Sequence, residues 1–95
     1  MATNFKLPSG SELVILELLI ERIEMYPLEM AAASALLPRG SVYVTLGRME
    51  RKGLVASRHV KEANQSGNPK HLYRVTDHGL LSYEAWLQAS AIFGR

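Results

Sequence analysis

The stretch GSVYVTLGRMERKGLV, residues 40–55, decides how the rest of the chain is read. At helical spacing Val42, Leu46 and Met49 form an apolar stripe, with Gly53 on the same narrow arc. Ser41, Thr45, Arg48 and Lys52 project opposite that stripe, Val44 and Arg51 lie at its margin, and Tyr43 stands to one side. Gly53 stops the helix, and Leu54 and Val55 open an extended segment. The spacing thus predicts a helix over residues 41–52 that packs by one side and presents cations on the other.

Downstream, residues 54–61 and 71–75 are rich in Val and Tyr with partial alternation and read as two strands. Between them Asn64-Gln65-Ser66-Gly67-Asn68-Pro69 forms a polar hairpin loop flanked by Lys61 and Lys70, and His71 and Arg74 sit on the returning strand. Upstream, Pro38-Arg39-Gly40 is a turn. Pro27 fits the first position of a short helix reaching about residue 36, with Glu29 near its positive end. Ser9-Gly10-Ser11-Glu12 has the spacing of a capping box, with a helix following to about Met25. Thr76 or Asp77 caps a last helix over residues 76–93. The fold class is mainly α (α+β), in the order α-α-α-β-β-α. A basic helix feeding a basic hairpin makes it a winged helix-turn-helix. Residues 1–9 are expected to form a flexible arm and residues 10–95 one domain that includes the C-terminal helix.

Composition narrows the function classes. Ninety-five residues form one domain whose core is marginal alone, and a hydrophobic content of 47% excludes disorder. The absence of cysteine excludes disulfides and thiolate metal sites. The apolar run over residues 13–20 is broken by Glu17 and is too short to span a bilayer, and no cationic n-region precedes it. A cytoplasmic protein without a membrane partner is expected. His59 and His71 fall on paired strands, but no third ligand is spaced to complete a metal site, and His78 beside Asp77 begins a helix. There is no nucleophile elbow, phosphate-cradling glycine loop or paired-carboxylate site, so neither catalysis nor a cofactor is expected.

The net charge of +2 conceals an asymmetry. Residues 1–34 carry two cations against five acids. Residues 35–75 carry eight cations against Glu50 and Glu62, and residues 76–95 carry one cation against two acids. A segment of +6 is an electrostatic footprint suited to polyphosphate. Arginine pairs bidentately with guanine in the major groove, while Ser, Thr and Lys contact phosphates or base edges. The candidate contacts to double-stranded DNA are Arg39, Ser41, Tyr43, Val44, Thr45, Arg48, Arg51 and Lys52, with Lys61, Lys70 and His71 from the hairpin.

The outer helices carry more apolar surface than one small core absorbs. Around the first helix Glu17, Glu21 and Glu24 share one strip and leucines, isoleucines and valine occupy nearly all the rest. On the last helix Leu80, Tyr83, Leu87 and Ala91 form one stripe, with Trp86 and Phe93 beside it. Either these surfaces complete a monomeric core or they form a second interface. Given how little core so short a chain builds, a homodimer through Leu13, Leu16, Leu80, Tyr83, Trp86, Leu87 and Phe93 is expected.

Gly40-Ser41-Val42-Tyr43, Leu46, Arg48-Met49-Glu50 and Gly53-Leu54-Val55 resemble the PadR family of bacterial winged-helix transcriptional regulators, whose pattern reads Gly-Thr-Leu-Tyr-Pro, Leu, Arg-Leu-Glu and Gly-Leu-Val. Tyr73-Arg74-Val75-Thr76-Asp77-His78-Gly79 resembles the family's second run, Tyr-Arg-Leu-Thr-Glu-x-Gly. Glu12-Leu13 to Leu19 fits its leucine-rich first helix, and Glu29-Met30 its Tyr-Glu-Ile segment. The resemblance runs from Gly10 onward, with Val44 in place of the usual proline and Pro27-Leu28 in place of Gly-Tyr. It implies dimerisation through the first and last helices, phosphate contacts from Ser41 and Tyr43, base reading by the exposed face of the third helix, and a hairpin astride the backbone. It also implies a small aromatic effector at the dimer interface, for which Trp86 is the candidate stacking surface; a lone Trp on such a face equally serves as an apolar anchor. The expected function is a repressor binding a near-palindromic operator. Alternatively the chain is a winged-helix accessory module that dimerises for protein contact without binding DNA itself.

Overall fold

Glu12 starts the first helix. The Ser9 N–H donates to Glu12 Oε1 at 3.0 Å, satisfying a backbone donor that the first turn leaves free. The computed structural model describes residues 8–61 and 70–93, so the expected roles of residues 1–7, of the loop 62–69 and of the Phe93 side chain lie outside the described residues. The elements are α1 (Gly10–Arg22), β1 (Glu24–Met25), α2 (Pro27–Ala33), α3 (Arg39–Arg51), β2 (Val55–Val60), β3 (Lys70–Val75) and α4 (Asp77–Phe93).

The expected order holds, with one strand more than the sequence suggested. α1 ends earlier than its apolar pattern, because Ile23 turns to a φ of 74° while its N–H bonds Leu19 O at 2.8 Å. A β-branched residue in that region carries strain of about 1–3 kcal/mol. The turn redirects the chain so that Glu24 and Met25 pair antiparallel with Arg74 and Tyr73 of β3. β3 becomes the central strand of a sheet ordered β1-β3-β2, and β2 runs against it from Val55 opposite Val75 to Val60 opposite Lys70.

Ile15, Leu16 and Leu19 of α1 meet Met25, Met30 of α2, Leu37, Val42, Leu46 and Met49 of α3, and Leu54 and Val55. Leu16 therefore belongs to the chain's own core and is withdrawn as a dimer contact: it faces α3 and the sheet and is fully buried in the single chain. Leu13 remains half-buried.

The junction of sheet and last helix explains the second sequence run. Gly53 takes a φ of 79°, ending α3 in the left-handed conformation that glycine adopts freely. The Thr76 hydroxyl donates to the Gly53 carbonyl, the Thr76 N–H donates to Leu54 O at 3.1 Å, and Thr76 Oγ1 accepts the Gly79 N–H at 3.0 Å. One threonine thus caps α4 and ties it to the turn before β2. Gly79 seats the helix against that turn, since a Cβ there would lie 2.1 Å from Leu54 O.

Beyond this seat α4 stands largely free. Gly79 and Ser82 are buried, Tyr83 and Trp86 are half-buried, and Leu80, Leu81, Leu87 and Ile92 are exposed. The Tyr83 hydroxyl donates to Glu17 Oε2 at 2.8 Å, which holds α4 against α1, and the Tyr83 and Trp86 rings stack with centroids 6.0 Å apart. No described helix is long and apolar enough to cross a membrane.

Gly79→Ala places a methyl group against a backbone carbonyl that has no room to yield. It is expected to destabilise the chain by about 2–4 kcal/mol, read as a lower Tm in far-UV circular dichroism. An unchanged Tm would show that α4 is not seated on Leu54.

Candidate nucleic-acid interface

α3 is capped by backbone rather than by an acid. Pro38 O accepts the Ser41 N–H at 3.0 Å and also the Ser41 hydroxyl at 3.0 Å, so that hydroxyl is turned back onto the turn. Val42, Thr45, Leu46 and Met49 face inward. Opposite them, at helical spacing, stand Gly40, Val44, Gly47 and Arg51, with Val44 65% exposed. A Cβ on Gly40 would meet nothing within 4 Å, and one on Gly47 would meet only the Arg51 guanidinium at 3.8 Å. The outward strip is thus nearly bare backbone bearing one valine and one arginine, flanked by exposed Tyr43.

This corrects the face expected from the sequence. Thr45, placed there among the outward residues, is only 4% exposed and lies inside the fold. Arg48 and Lys52 turn toward α1, not directly outward. Arg48 Nε donates to Glu12 Oε2 at 3.2 Å and Lys52 Nζ donates to the same oxygen at 2.9 Å. The exposed face is rotated by about a quarter turn from Thr45 toward Val44 and Arg51. The cause is Glu12. It occupies the buried arc of α1 that also carries Ile15, Leu16 and Leu19, and it draws the cationic flank of α3 against that helix.

Burial acts to raise the Glu12 carboxyl, but hydrogen bonds from Lys52, the Ser9 N–H and Arg48, with the Lys52 charge, outweigh it and hold the group below its ordinary value. A fully buried carboxylate needs those donors, because an unpaired charge there is costly. Arg48 and Lys52 keep two-fifths or more of their side-chain surface in water, so they reach the carboxylate from the rim.

The wing carries a second restraint. Arg58 of β2 reaches past the central strand and grips Glu24 of β1 through Nε to Oε2 at 3.0 Å and Nη2 to Oε1 at 3.1 Å. The Arg58 hydrogen bond holds the Glu24 carboxyl below its ordinary value. Glu50 Oε2 accepts the Ser57 hydroxyl at 2.9 Å, joining α3 to β2. Three of the eight cations of the +6 segment, Arg48, Lys52 and Arg58, are thus paired with Glu12 or Glu24 at the rim of the fold, while Arg39 and Arg51 on α3, Lys61, and Lys70 and Arg74 of β3 are exposed. Lys70 stands over the Tyr26 ring at 5.5 Å. His71 is exposed and lies 4.2 Å, centroid to centroid, from His59. Among the described residues no group of three or more His, Asp or Glu could hold a metal ion.

Sequence reasoning missed Glu12, treating it as a cap alone. The available signal was its place three, four and seven residues before Ile15, Leu16 and Leu19, on the face that packs.

The model of the Transcriptional regulator PadR-like family matches residues 15–85. Among solved structures, a PadR family transcription regulator from hypervirulent Clostridium difficile R20291 superposes with a TM-score of 0.74 at 26% identity, over 90% of this chain and 92% of that one. The PadR-like regulator BC4206 from Bacillus cereus gives 0.71 at 24% identity, over 88% and 84%. Bacillus subtilis PadR in complex with operator DNA gives 0.72 at 19% identity, over 83% of this chain and 47% of that one. No curated protein sequence matches the chain.

Glu12→Gln keeps the shape and the acceptor for Ser9 but removes the charge. It is expected to lower stability at pH 7 by about 1–3 kcal/mol. The folded-state carboxyl titrates below its unfolded value of about 4.3, so its contribution is complete above that pH and is lost as pH falls through the lower folded value. Urea unfolding should therefore show the gap between wild type and variant narrowing as pH falls below the ordinary carboxylate range. Equal stability at pH 7, or a gap unchanged in acid, would contradict this role.

Proposed function

Because this chain belongs to the PadR-like family of transcriptional regulators, a family of regulators and not of enzymes, we propose that it is a cytoplasmic, sequence-specific repressor that binds a near-palindromic operator as a homodimer. The observation that carries the proposal is the outward strip of α3. With no Cβ at Gly40 or Gly47, that helix can approach base edges closely, and Arg51 is the one cationic side chain in the strip, suited to bidentate contact with guanine. Val44 supplies apolar contact to a thymine methyl. Arg39, Ser41 and Tyr43 at the start of α3 serve phosphates, and Lys61, Lys70 and His71 follow the backbone from the wing. Arg48 and Lys52 add positive field at the flank while they remain on Glu12.

The exposed leucines of α4 support the dimer. Leu80 and Leu87 fall seven residues apart on one face, and Leu81 and Ile92 are exposed beside them. Half-buried Tyr83 and Trp86 extend the same surface. A two-fold pairing there would present two α3 helices, and an operator read by both in successive major grooves would have half-sites about 34 Å apart. Bacillus subtilis PadR, crystallised with operator DNA on a similar fold, is consistent with this use of the winged helix.

In an electrophoretic shift with duplexes selected from a random pool, binding should weaken steeply with salt. Arg51→Ala should cost about 1–3 kcal/mol, roughly five- to 150-fold in affinity, and Arg48→Ala much less. Light scattering should give twice the 10.6 kDa chain mass, reverting to the monomer in Leu87→Glu. A dimer that shifts no duplex would make the chain a protein-contact module instead.

A further inference from the structure

His59 of β2 and His71 of β3 are register partners, so their side chains leave the sheet on one face with Cβ atoms about 4.5–5.5 Å apart. Both are exposed, and their rings lie 4.2 Å apart, centroid to centroid, at a tilt of 54°. Exposed rings bury little area against each other, so the contact itself contributes little to the fold. The spacing suits a shared ion. With metal–nitrogen bonds of about 2.0–2.1 Å, two nitrogens on one ion stand about 3 Å apart, within reach of two imidazoles this close.

The surroundings favour a cation. By alternation Arg58 and Lys70 leave the opposite face, Arg58 to the Glu24 carboxylate and Lys70 to the Tyr26 ring. On the histidine face the next rung inward is Ser57 opposite Tyr73, and there the Ser57 hydroxyl donates to Glu50 Oε2 at 2.9 Å. A carboxylate from α3 thus borders the pair.

We propose that His59 and His71 chelate one divalent transition-metal ion in an open site whose remaining positions are taken by water. Two imidazoles do not close a structural zinc site, and among the described residues no group of three His, Asp or Glu does so. Ligand type therefore sets the selectivity. Imidazole suits Cu²⁺, Ni²⁺ and Zn²⁺, of which Cu²⁺ binds tightest, whereas Mg²⁺ and Ca²⁺ take oxygen ligands. The ion joins β2 to β3 near the open end of the hairpin. The site goes beyond the proposed DNA contact and is read on the free chain, so its outcome is separate from whether any duplex binds.

The probe is zinc chloride, titrated into the purified full chain without an affinity tag and followed through the histidine Cε1–H signals in nuclear magnetic resonance. The His59 and His71 signals are expected to shift together and to saturate at one ion per chain, with a Kd of about 0.1 mM or tighter. His78, at the start of α4 beside the Gly53 turn, should not follow them. Copper(II) chloride should compete for the site more tightly than zinc, and magnesium chloride should move neither signal. His59→Gln and His71→Gln should each weaken zinc by about tenfold or more, since either leaves a single imidazole. Both residues are exposed, and circular dichroism checks that the variants fold. Absent saturation, a His78 shift with the same midpoint, an equal response to magnesium, or a zinc affinity unchanged in either variant would overturn the proposal and leave the pair a ring contact alone.

Discussion

A single buried carboxylate ties the start of α1 to the cationic flank of α3. Glu12 lies at the start of α1, fully out of water, with one oxygen on the Ser9 N–H and the other shared by Arg48 and Lys52. The cap fixes where α1 begins. The two cations fix how α3 is rolled against it. Once that roll is set, Thr45 faces inward, and Gly40, Val44, Gly47 and Arg51 face out. Lone surface ion pairs contribute little to stability, but a buried carboxylate must be satisfied, so its partners have little freedom to point elsewhere.

The junction at the other end of α3 is equally constrained. Gly53 in its left-handed turn, the Thr76 hydroxyl on the Gly53 carbonyl, and Gly79 pressed to Leu54 form one knot that holds α3, the sheet and α4 together. Glu50 adds a tie to Ser57. Many of the residues that give the sequence its family signature therefore serve the fold.

Most of the architecture was legible because its signals are local. A capping box, Pro27 at a first helical position, the stop at Gly53 and a polar hairpin each specify an element from a few neighbouring residues. β1 was illegible: two residues give no alternation to read, and the strand exists because Ile23 turns sharply and Arg74 and Tyr73 offer a partner far along the chain. The face of α3 was read about a quarter turn wrong, since a wheel drawn from three apolar residues assigns Thr45 outward by its hydroxyl. The true orientation is set by the packing of α3 on the core together with the Arg48 and Lys52 bonds to Glu12, 36 and 40 residues away in sequence. Leu16 looked like spare apolar surface because a helix wheel cannot say how many neighbours a helix has.

The central claim is that α3 meets duplex DNA through Arg51 while Arg48 stays on Glu12. Nuclear magnetic resonance of the two arginine Nε–H groups, with and without a bound duplex, tests it most directly. The account predicts that the Arg51 signal shifts on binding and that the Arg48 signal, held by the carboxylate, stays in place. A moving Arg48 signal beside an unmoved Arg51 would contradict it.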